Sequence, residues 1–417
     1  MVITGIGPIT ASGTGVEELW SGLHSGRSPV SRVTRFDPSS FRTRIAAEVN
    51  TFDATDYMER KRARRLDRFS QFAIAATRLA LEDAHLDPAA VDPARTAVQM
   101  GSALGGLAHA QQEMHNYLTR GIRGVDPRVA TTVFCGAASC QAAIEFGFTG
   151  PNSTNAMSCA SGSIAVGDAF RLIRSGTVDV AVAGGVEAPL APLSFGAFAV
   201  IRAMSQRNAD PEAACRPFDR GRDGFVMGEG ACVLVLEEAS HAKARRARIY
   251  AEINGYGVTN DAHHMAAPRP DGSQAAAAMR AALRTAGLEP SAVDHVNAHG
   301  SSTQLNDSTE SLAIRIALGD HADQVTVSGT KPFYGHALGA SGAIELAISA
   351  LAIQRGWVPP TLNLEEAGDG CDLSYVNGAG RDQRVRTVLS NSFGFGGINA
   401  AVILSEPGLH SPGPLGG

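Results

Sequence analysis

Short apolar runs alternate with longer alanine-rich amphipathic segments along most of the chain. Runs such as 178–185 and 325–329 have the length and composition of buried β-strands. The longer segments repeat apolar residues at helical spacing. This alternation predicts an α/β fold, in which a mostly parallel or mixed sheet is covered by helices. Chemistry in such folds lies at the carboxyl ends of the strands, so residues just after predicted strands are the first candidates for a site.

Three pairs of segments, far apart in the chain, repeat the same pattern in the same order. The pairs are 80–92 with 282–294, 160–164 with 340–344, and 228–236 with 396–404. Ordered repeats of this kind predict a duplicated α/β unit. We therefore expect an N-terminal half at 1–245, a C-terminal half at 246–407 and, from its Pro/Gly-rich composition, a disordered tail at 408–417.

Composition excludes several classes of protein. A formal net charge of −5 over 417 residues argues against nucleic-acid binding. The six cysteines form no CxxC pair, which is typical of reduced thiols in a cytoplasmic protein. The start of the chain reads as a strand rather than a leader, and no apolar run reaches the ~20 residues of a membrane span. His263–His264 is an isolated pair, so no metal site is expected.

Cys159 is the first candidate for chemistry. It lies among small residues in Asn155–Ser163, just before a predicted helix. The positive end of a helix dipole favours a thiolate, and small neighbours leave room for a substrate. The alternative is a buried structural thiol, as most free cysteines are.

Two histidines stand in glycine-rich loops of the second half. His299 follows a predicted strand, and the repeat places His336 beside the symmetry partner of the Cys159 turn. A thiolate can take an acyl group from a thioester. Two neutral imidazoles can donate hydrogen bonds to a thioester carbonyl while a carboxylate leaves as carbon dioxide. Either histidine alone would more often be an ordinary hydrogen-bonded side chain.

Three further features surround these candidates. Lys331 can supply positive charge beside His336, with Glu310 as its expected partner, or it can form a structural ion pair. Asn391–Gly397 places two phenylalanines among glycines, which predicts either an ordinary turn or a gate whose N–H groups complete an oxyanion hole. The basic cluster 60–68 is either a solvated helix face or a dock for an acidic partner.

The motifs at these positions resemble those of the β-ketoacyl-acyl carrier protein synthases, over Val2 to about Pro407. They are similar to the elongating ketosynthase II group and to bacterial type II polyketide ketosynthases. The resemblance is carried by Ser158–Gly162, Asn297–Thr303, Lys331–His336, Arg216–Asp219 with Arg222–Phe225, and Asn391–Gly397.

The resemblance implies the thiolase fold, a duplicated five-layer αβαβα sandwich. It implies that Cys159 is the nucleophile, that His299 and His336 assist decarboxylation of a malonyl-carrier thioester, and that Lys331 supports the His336 loop. The N–H groups of Cys159 and Phe395 would form the oxyanion hole. No cofactor is implied, because the phosphopantetheine arm belongs to the carrier protein.

The resemblance also implies partners. Acyl carrier protein would dock on basic residues, and the chain would form a homodimer or a heterodimer with a chain-length factor. The docking candidates are Arg62, Arg65, Arg68 and Arg207.

Several positions depart from a fatty-acid elongation enzyme and bear on the substrate. Phe393 would be the gatekeeper of the acyl pocket. The other residues expected at the pocket are Leu104, Phe134, Ala138, Tyr334 and Ile398. Small residues around Ala138 would leave volume, and aromatic residues would stack on a flat conjugated chain. These features favour reduced or polyenic polyketide synthesis, and drift within fatty-acid synthesis is the alternative.

Other classes fit less well. A non-catalytic chain-length partner would not need Cys159, His299 and His336 together. A Cys-His hydrolase would need only one histidine and an orienting carboxylate. A thiolase-like enzyme would need a second catalytic cysteine, and Cys371 lies in a polar loop that suits this role poorly.

Overall fold

The computed structural model describes residues 1–409. Residues 410–417, most of the expected tail at 408–417, lie outside the described residues, whereas Gly408 and Leu409 continue a turn after the last strand. The strands are β1 (Val2–Thr10), β2 (Gly13–Thr14), β3 (Ser31–Arg32), β4 (Ile45–Ala46), β5 (Thr96–Gly101), β6 (Asn152–Asn155), β7 (Val180–Glu187), β8 (Gly230–Glu237), β9 (Ala251–Asn260), β10 (His295–Asn297), β11 (Thr326–Ser328), β12 (Trp357–Val358), β13 (Ser374–Tyr375), β14 (Arg381–Asp382), β15 (Thr387–Gly394) and β16 (Ile398–Ser405). The α-helices are α1 (Val16–His24), α2 (Arg60–Ala63), α3 (Arg68–Asp83), α4 (Leu107–Arg120), α5 (Val129–Thr132), α6 (Ala137–Phe146), α7 (Ser161–Arg174), α8 (Pro192–Val200), α9 (Ala239–Ala244), α10 (Ser273–Ala286), α11 (Gln304–Leu318) and α12 (Ser341–Arg355).

Two groups of strands repeat one order. The path β6-β5-β7-β8-β1 continues into β9-β16-β15-β10-β11, so that each strand of the first group has its counterpart in the second. The groups join where Val2 and Ile3 of β1 pair with Glu252 and Ala251 of β9. In each group the three strands farthest from the junction are parallel to one another, and the two strands nearest the junction are antiparallel to their neighbours. The predicted duplication is thereby confirmed.

Helices cover both faces of both groups. α7 and α12 pack on each other and also contact strands of both groups, which makes them the middle layer. α3 and α6 cover the outer face of the first group, and α10 and α11 cover that of the second. The result is the predicted αβαβα arrangement of five layers.

The middle helices begin side by side because small residues let them approach. A Cβ on Gly162 of α7 would lie 2.8 Å from the carbonyl oxygen of Gly339 and 3.0 Å from the backbone nitrogen of Ala343 in α12. Ser163 and Ser392 also meet there through their hydroxyls, 2.8 Å apart. The turns that precede α7 and α12, which carry Cys159 and His336, are therefore brought together. No helix within residues 1–409 is long and apolar enough to cross a membrane.

Candidate active site

Cys159 lies in a single 3₁₀ turn, Ser158–Ala160, immediately before α7. Ser158 has a φ of 52°, a left-handed conformation that is uncommon for a non-glycine residue. The Cys159 side chain borders a cavity of about 330 Å³. His299, His336 and Phe395 line the same cavity, which thus brings together four of the five sequence candidates for catalysis, and Lys331 does not line it.

Burial controls the ionisation of this thiol. Desolvation raises the pKa of Cys159 to about 11, although the Ser158 hydroxyl and the charge of Lys331 act in the opposite direction. The expectation of a thiolate from helix position alone therefore does not describe the resting state. The thiol stays protonated because the free-energy cost of burying the thiolate charge away from water exceeds the stabilisation that the nearby hydroxyl and ammonium give that charge.

The two histidine rings face each other at the cavity. Their centroids are 5.4 Å apart and their planes are nearly perpendicular, at 80°. Both rings are buried, and desolvation lowers the pKa of His299 and of His336 well below the usual range. Both imidazoles are therefore neutral, and each keeps one N–H to donate.

Different contacts fix each ring. The backbone nitrogens of His299 and Gly300 each donate to Glu310, at 2.8 Å, which holds the turn after β10. His336 Nδ1 lies 3.0 Å from the Ser341 hydroxyl, and its backbone nitrogen donates to Val226 at 2.6 Å. With Nδ1 engaged by Ser341, the other ring nitrogen of His336 remains for the cavity.

Lys331 is fully buried and reaches His299 rather than supporting His336 through its side chain. Its ammonium donates to the His299 carbonyl, lies 3.4 Å from His299 Nδ1, and pairs with Glu345 at 2.5 Å. The expected pairing with Glu310 is wrong. The Glu310 carboxylate is already occupied by the two backbone N–H groups of the His299 turn and by Asn391.

The glycine-rich turn after β15 approaches the nucleophile closely. A Cβ on Gly394 would lie 3.0 Å from the Cys159 nitrogen. The Phe395 backbone N–H is among the groups that act to lower the pKa of the Cys159 thiol. The Phe395 ring stacks on Phe198 of α8, with centroids 5.9 Å apart. The N–H groups of Cys159 and Phe395 thus lie beside the reacting sulfur.

Phe393, expected as the gatekeeper, lines the cavity from within a strand. It belongs to β15, where it is buried in the core of the second half, and its ring centroid is 5.9 Å from that of His299. The strand holds Phe393 in a fixed ladder opposite Asn399, whereas Phe395 is followed by two glycines with positive φ, Gly396 and Gly397. Phe395 therefore lies on the turn itself, whereas Phe393 lies in the strand before it.

Asp261, which the sequence did not single out, anchors this turn. Its carboxylate accepts the Asn399 side-chain amide at 2.7 Å and the Arg269 nitrogen at 2.9 Å. Its own nitrogen donates to the Gly397 carbonyl at 2.8 Å. Asp261 follows β9, and only the pairing of β9 with β16 brings it to the turn.

The expected pocket residues other than Phe393 do not line this cavity. Leu104 packs in the cluster that contains Cys159, and its nitrogen donates to Glu187 at 3.1 Å. Ile398 packs on Ala160 and Ile164 behind the nucleophile turn.

The other three expected pocket residues also lie outside the lining of this cavity. Ala138 is fully buried in the core of the first half. Phe134 is 48% exposed on the surface. Tyr334 is fully buried, and its hydroxyl donates to Glu345 instead of facing substrate.

Some side chains of the basic cluster form ion pairs within the chain, and others are exposed. Arg68 pairs with the buried carboxylate of Glu229 at 2.8 Å, and Arg62 pairs with Glu145 at 2.7 Å. Arg65 is exposed. The Arg207 guanidinium donates to the Gly221 carbonyl at 3.1 Å.

Comparison with known proteins identifies the family. The family model "Beta-ketoacyl synthase, N-terminal domain" matches residues 1–242, and "Beta-ketoacyl synthase, C-terminal domain" matches residues 250–365. The chain is 45% identical to 3-oxoacyl-[acyl-carrier-protein] synthase 2 of Synechocystis sp. and 44% identical to that of Coxiella burnetii. Each match covers 97% of this chain and 98% of the relative.

Solved structures agree with these matches. A type II PKS ketosynthase, in complex with its acyl-carrier protein and bound to a hexaketide, superposes with a TM-score of 0.90 at 35% identity, covering 97% of this chain and 98% of the other. The ishigamide ketosynthase/chain length factor superposes with a TM-score of 0.92 at 36% identity, covering 98% and 99%. The chain therefore belongs to the β-ketoacyl synthase family and is a ketosynthase, an acyltransferase with the thiolase-like fold.

Proposed function

We propose that this ketosynthase extends an acyl chain held on Cys159 by decarboxylative condensation with malonyl-acyl carrier protein. Cys159 takes the acyl group from a carrier thioester, and the thiol proton leaves with the released carrier thiol. Malonyl-carrier then loses its carboxylate as carbon dioxide. The resulting carbanion attacks the acyl carbonyl and expels the Cys159 thiolate, giving a 3-oxoacyl-carrier thioester two carbons longer. The thiolate then takes a proton from water to restore the resting thiol.

The observation that carries this proposal is the pair of neutral imidazoles facing one cavity with a thiol. The His299 and His336 N–H groups would stabilise the enolate oxygen that forms as carbon dioxide leaves. The Cys159 and Phe395 N–H groups would do the same for the acyl carbonyl during condensation. The enzyme requires no cofactor of its own in this scheme, because the phosphopantetheine arm arrives with the carrier.

Intact-mass spectrometry tests the chemistry. Wild type and Cys159→Ala are incubated with acyl-loaded carrier and then with malonyl-carrier. We expect an acyl adduct on wild type alone, followed by a 3-oxoacyl product. An adduct on both proteins would remove Cys159 as the nucleophile, and release of free acid without malonyl consumption would indicate a hydrolase.

An acyl carrier protein is acidic, and the exposed part of the basic cluster suits it. Lys61, Arg64 and Arg65 are exposed on and just after α2. Arg202 is exposed and lines the cavity that contains Cys159, which makes it a further basic contact for a carrier that passes its arm to the thiol. Of the four residues expected to dock the carrier, Arg65 fits best, because Arg62 and Arg68 are already paired within the chain.

The chain is also proposed to work as a dimer. Edge strand β6 ends the sheet, and within residues 1–409 no strand pairs with its outer side. Large apolar side chains are exposed on α4, on α6 and in the segments near them: Leu118, Ile122, Phe134, Ile144 and Met157. A second ketosynthase fold, either another copy or a chain-length factor, would cover this face and extend the sheet. Light scattering on the protein alone decides between them, since a homodimer forms without a partner.

We assign the enzyme to type II polyketide synthesis of a reduced or polyenic chain. The aromatic lining of the cavity, Phe198, Phe225, Phe393 and Phe395, supports stacking on a flat conjugated acyl group. The type II PKS ketosynthase noted above also matches over nearly its whole length.

Fatty-acid elongation by the same chemistry is the second candidate. The higher identity to the 3-oxoacyl-[acyl-carrier-protein] synthases 2, 45% against 35% for the type II PKS ketosynthase, favours it. Competition between a saturated acyl-carrier and a conjugated dienoyl-carrier of equal length separates the two. Preferential loading of the diene supports the polyketide assignment, and preferential loading of the saturated chain supports fatty-acid elongation.

A further inference from the structure

Tyr334 stands where its side chain touches the buried ion pair behind the catalytic histidines. It lies between Lys331 and His336 in sequence, and its side chain is fully buried. The Tyr334 hydroxyl donates to Glu345 Oε1 at 3.2 Å and is itself 2.9 Å from the Thr330 hydroxyl. Because Tyr334 donates its one proton to the carboxylate, its oxygen accepts the proton of Thr330.

The same carboxylate oxygen holds Lys331. Glu345 Oε1 accepts the ammonium at 2.5 Å, while Glu345 Oε2 has no hydrogen-bond partner among residues 1–409. Both contacts that orient this carboxylate therefore converge on one oxygen. Because this buried carboxylate has so few partners, loss of either contact should let it change its orientation.

Lys331 connects Glu345 to His299, because its ammonium contacts both residues. Its ammonium donates to the His299 carbonyl and lies 3.4 Å from His299 Nδ1. An ammonium has protons and no acceptor, so it favours the tautomer in which Nδ1 is unprotonated and Nε2 carries the hydrogen. That tautomer is the one that can donate into the cavity through Nε2.

We propose that Tyr334 is a positioning residue for decarboxylation, which acts by fixing Glu345 and, through Lys331, the tautomer and direction of His299. This inference rests on the role proposed above for His299. Tyr334 touches neither the cavity nor Cys159, so it should leave acyl transfer to the thiol unchanged. Burial raises the pKa of Glu345 to about 7, and the contacts from Lys331 and Tyr334 oppose that rise.

The test measures two half-reactions of Tyr334→Phe, which removes only the hydroxyl. We expect kcat for decarboxylation of malonyl-carrier to fall about tenfold, the loss typical of residues that orient a catalytic group, with KM unchanged. The rate of acyl loading on Cys159 should stay within about twofold of wild type. Equal losses in both half-reactions, or no loss in either, would overturn the proposal.

Tyr375→Phe is the matched control. It removes another tyrosine hydroxyl that is hydrogen-bonded inside the protein, to Ser311 at 2.7 Å, but lies in β13 and does not touch the ion pair. Both half-reactions should keep wild-type rates in this variant. If Tyr334→Phe does not fold, Thr330→Val removes the donor to the Tyr334 oxygen and should produce a smaller loss confined to decarboxylation.

The wild-type measurement keeps the two proposals separable. If wild type fails to decarboxylate malonyl-carrier, the role of His299 proposed above is wrong. If wild type decarboxylates and Tyr334→Phe matches it, only the assignment of Tyr334 fails.

Discussion

Gly394 faces the backbone nitrogen of Cys159 so closely that a Cβ on the glycine would lie 3.0 Å from that nitrogen. The same Cβ would lie 3.2 Å from the Ser158 Cβ, so it would crowd two neighbouring atoms of the nucleophile turn. The absence of a side chain at Gly394 is therefore what allows the end of β15 to lie beside the reacting sulfur.

Gly394→Ala should slow acyl loading of Cys159 by about tenfold, because overpacking of one methyl costs about 1–3 kcal/mol at a tight contact. The displaced element is the turn that carries the Phe395 N–H. Loading rates by intact-mass spectrometry check this. Thermal unfolding serves as the control, since a general loss of stability would lower Tm along with the rate.

The ionisation of Cys159 predicts how its alkylation depends on pH. With a pKa of about 11, the thiolate fraction rises about tenfold for each pH unit below that value. The rate of modification by iodoacetamide should therefore still be rising at pH 9. A plateau near pH 7 would show that the resting group is a thiolate. The Cys159→Ser variant is the control, because any alkylation measured in it comes from the other cysteines.

Removing either facing imidazole should affect decarboxylation far more than loading. His299→Ala and His336→Ala are each expected to lower decarboxylation of malonyl-carrier by about 10²-fold, the typical loss of one donor to a developing oxyanion. The rate of decarboxylation is measured as release of labelled carbon dioxide from malonyl-carrier. Loss of loading alone, with decarboxylation intact, would contradict the assigned roles.

His295 offers the matched control for these variants. It lies in β10, close in sequence to His299, and its ring nitrogens meet the hydroxyls of Thr326 and Ser328 at 3.0 and 3.2 Å. Burial lowers its pKa to about 3, so it is also a neutral buried imidazole. His295→Gln should keep the decarboxylation rate because the ring does not reach the cavity.

Two arginines of the basic cluster should have different roles, Arg68 in the stability of the fold and Arg65 in binding the carrier protein. Arg68→Ala leaves the carboxylate of Glu229, which is 1% exposed, with fewer partners and should lower the free energy of unfolding by about 3 kcal/mol. Arg65→Ala should change that free energy by less than about 0.5 kcal/mol while weakening carrier-protein binding. Chemical denaturation and a titration with carrier protein measure the two effects. Equal destabilisation by both variants would contradict this division.

The Asp261 contacts predict a role for the turn around Phe395 in protecting the acyl-enzyme. Asp261→Ala removes the acceptor of Asn399 and Arg269, so the turn should open more often and admit water. Hydrolysis of the loaded Cys159 thioester should become about fivefold faster or more, since one charged hydrogen bond is worth roughly 1.5–3 kcal/mol. Asp271→Asn, at an exposed carboxylate that also contacts Arg269, should leave hydrolysis unchanged.

Much of the site was predictable because its signals are local. Cys159 and His336 precede repeat-related helices, and His299 follows a strand, so short sequence patterns and the duplication place them at the same strand ends. The partner of Lys331 was not predictable. Glu310 and Glu345 lie on different helices, α11 and α12, and only the packing of those helices decides which carboxylate the ammonium meets.

The sequence by itself determined the α/β class, the duplication and the set of reactive side chains. These depend on periodicity and turn residues within each segment. Only the tertiary structure decided that burial raises the pKa of the Cys159 thiol, that Phe393 lies within β15 whereas Phe395 lies on the turn after it, and that Arg68 is held by Glu229. Those properties depend on burial and on partners remote in the chain, because desolvation and ion pairing are set by whatever packs around a group in space.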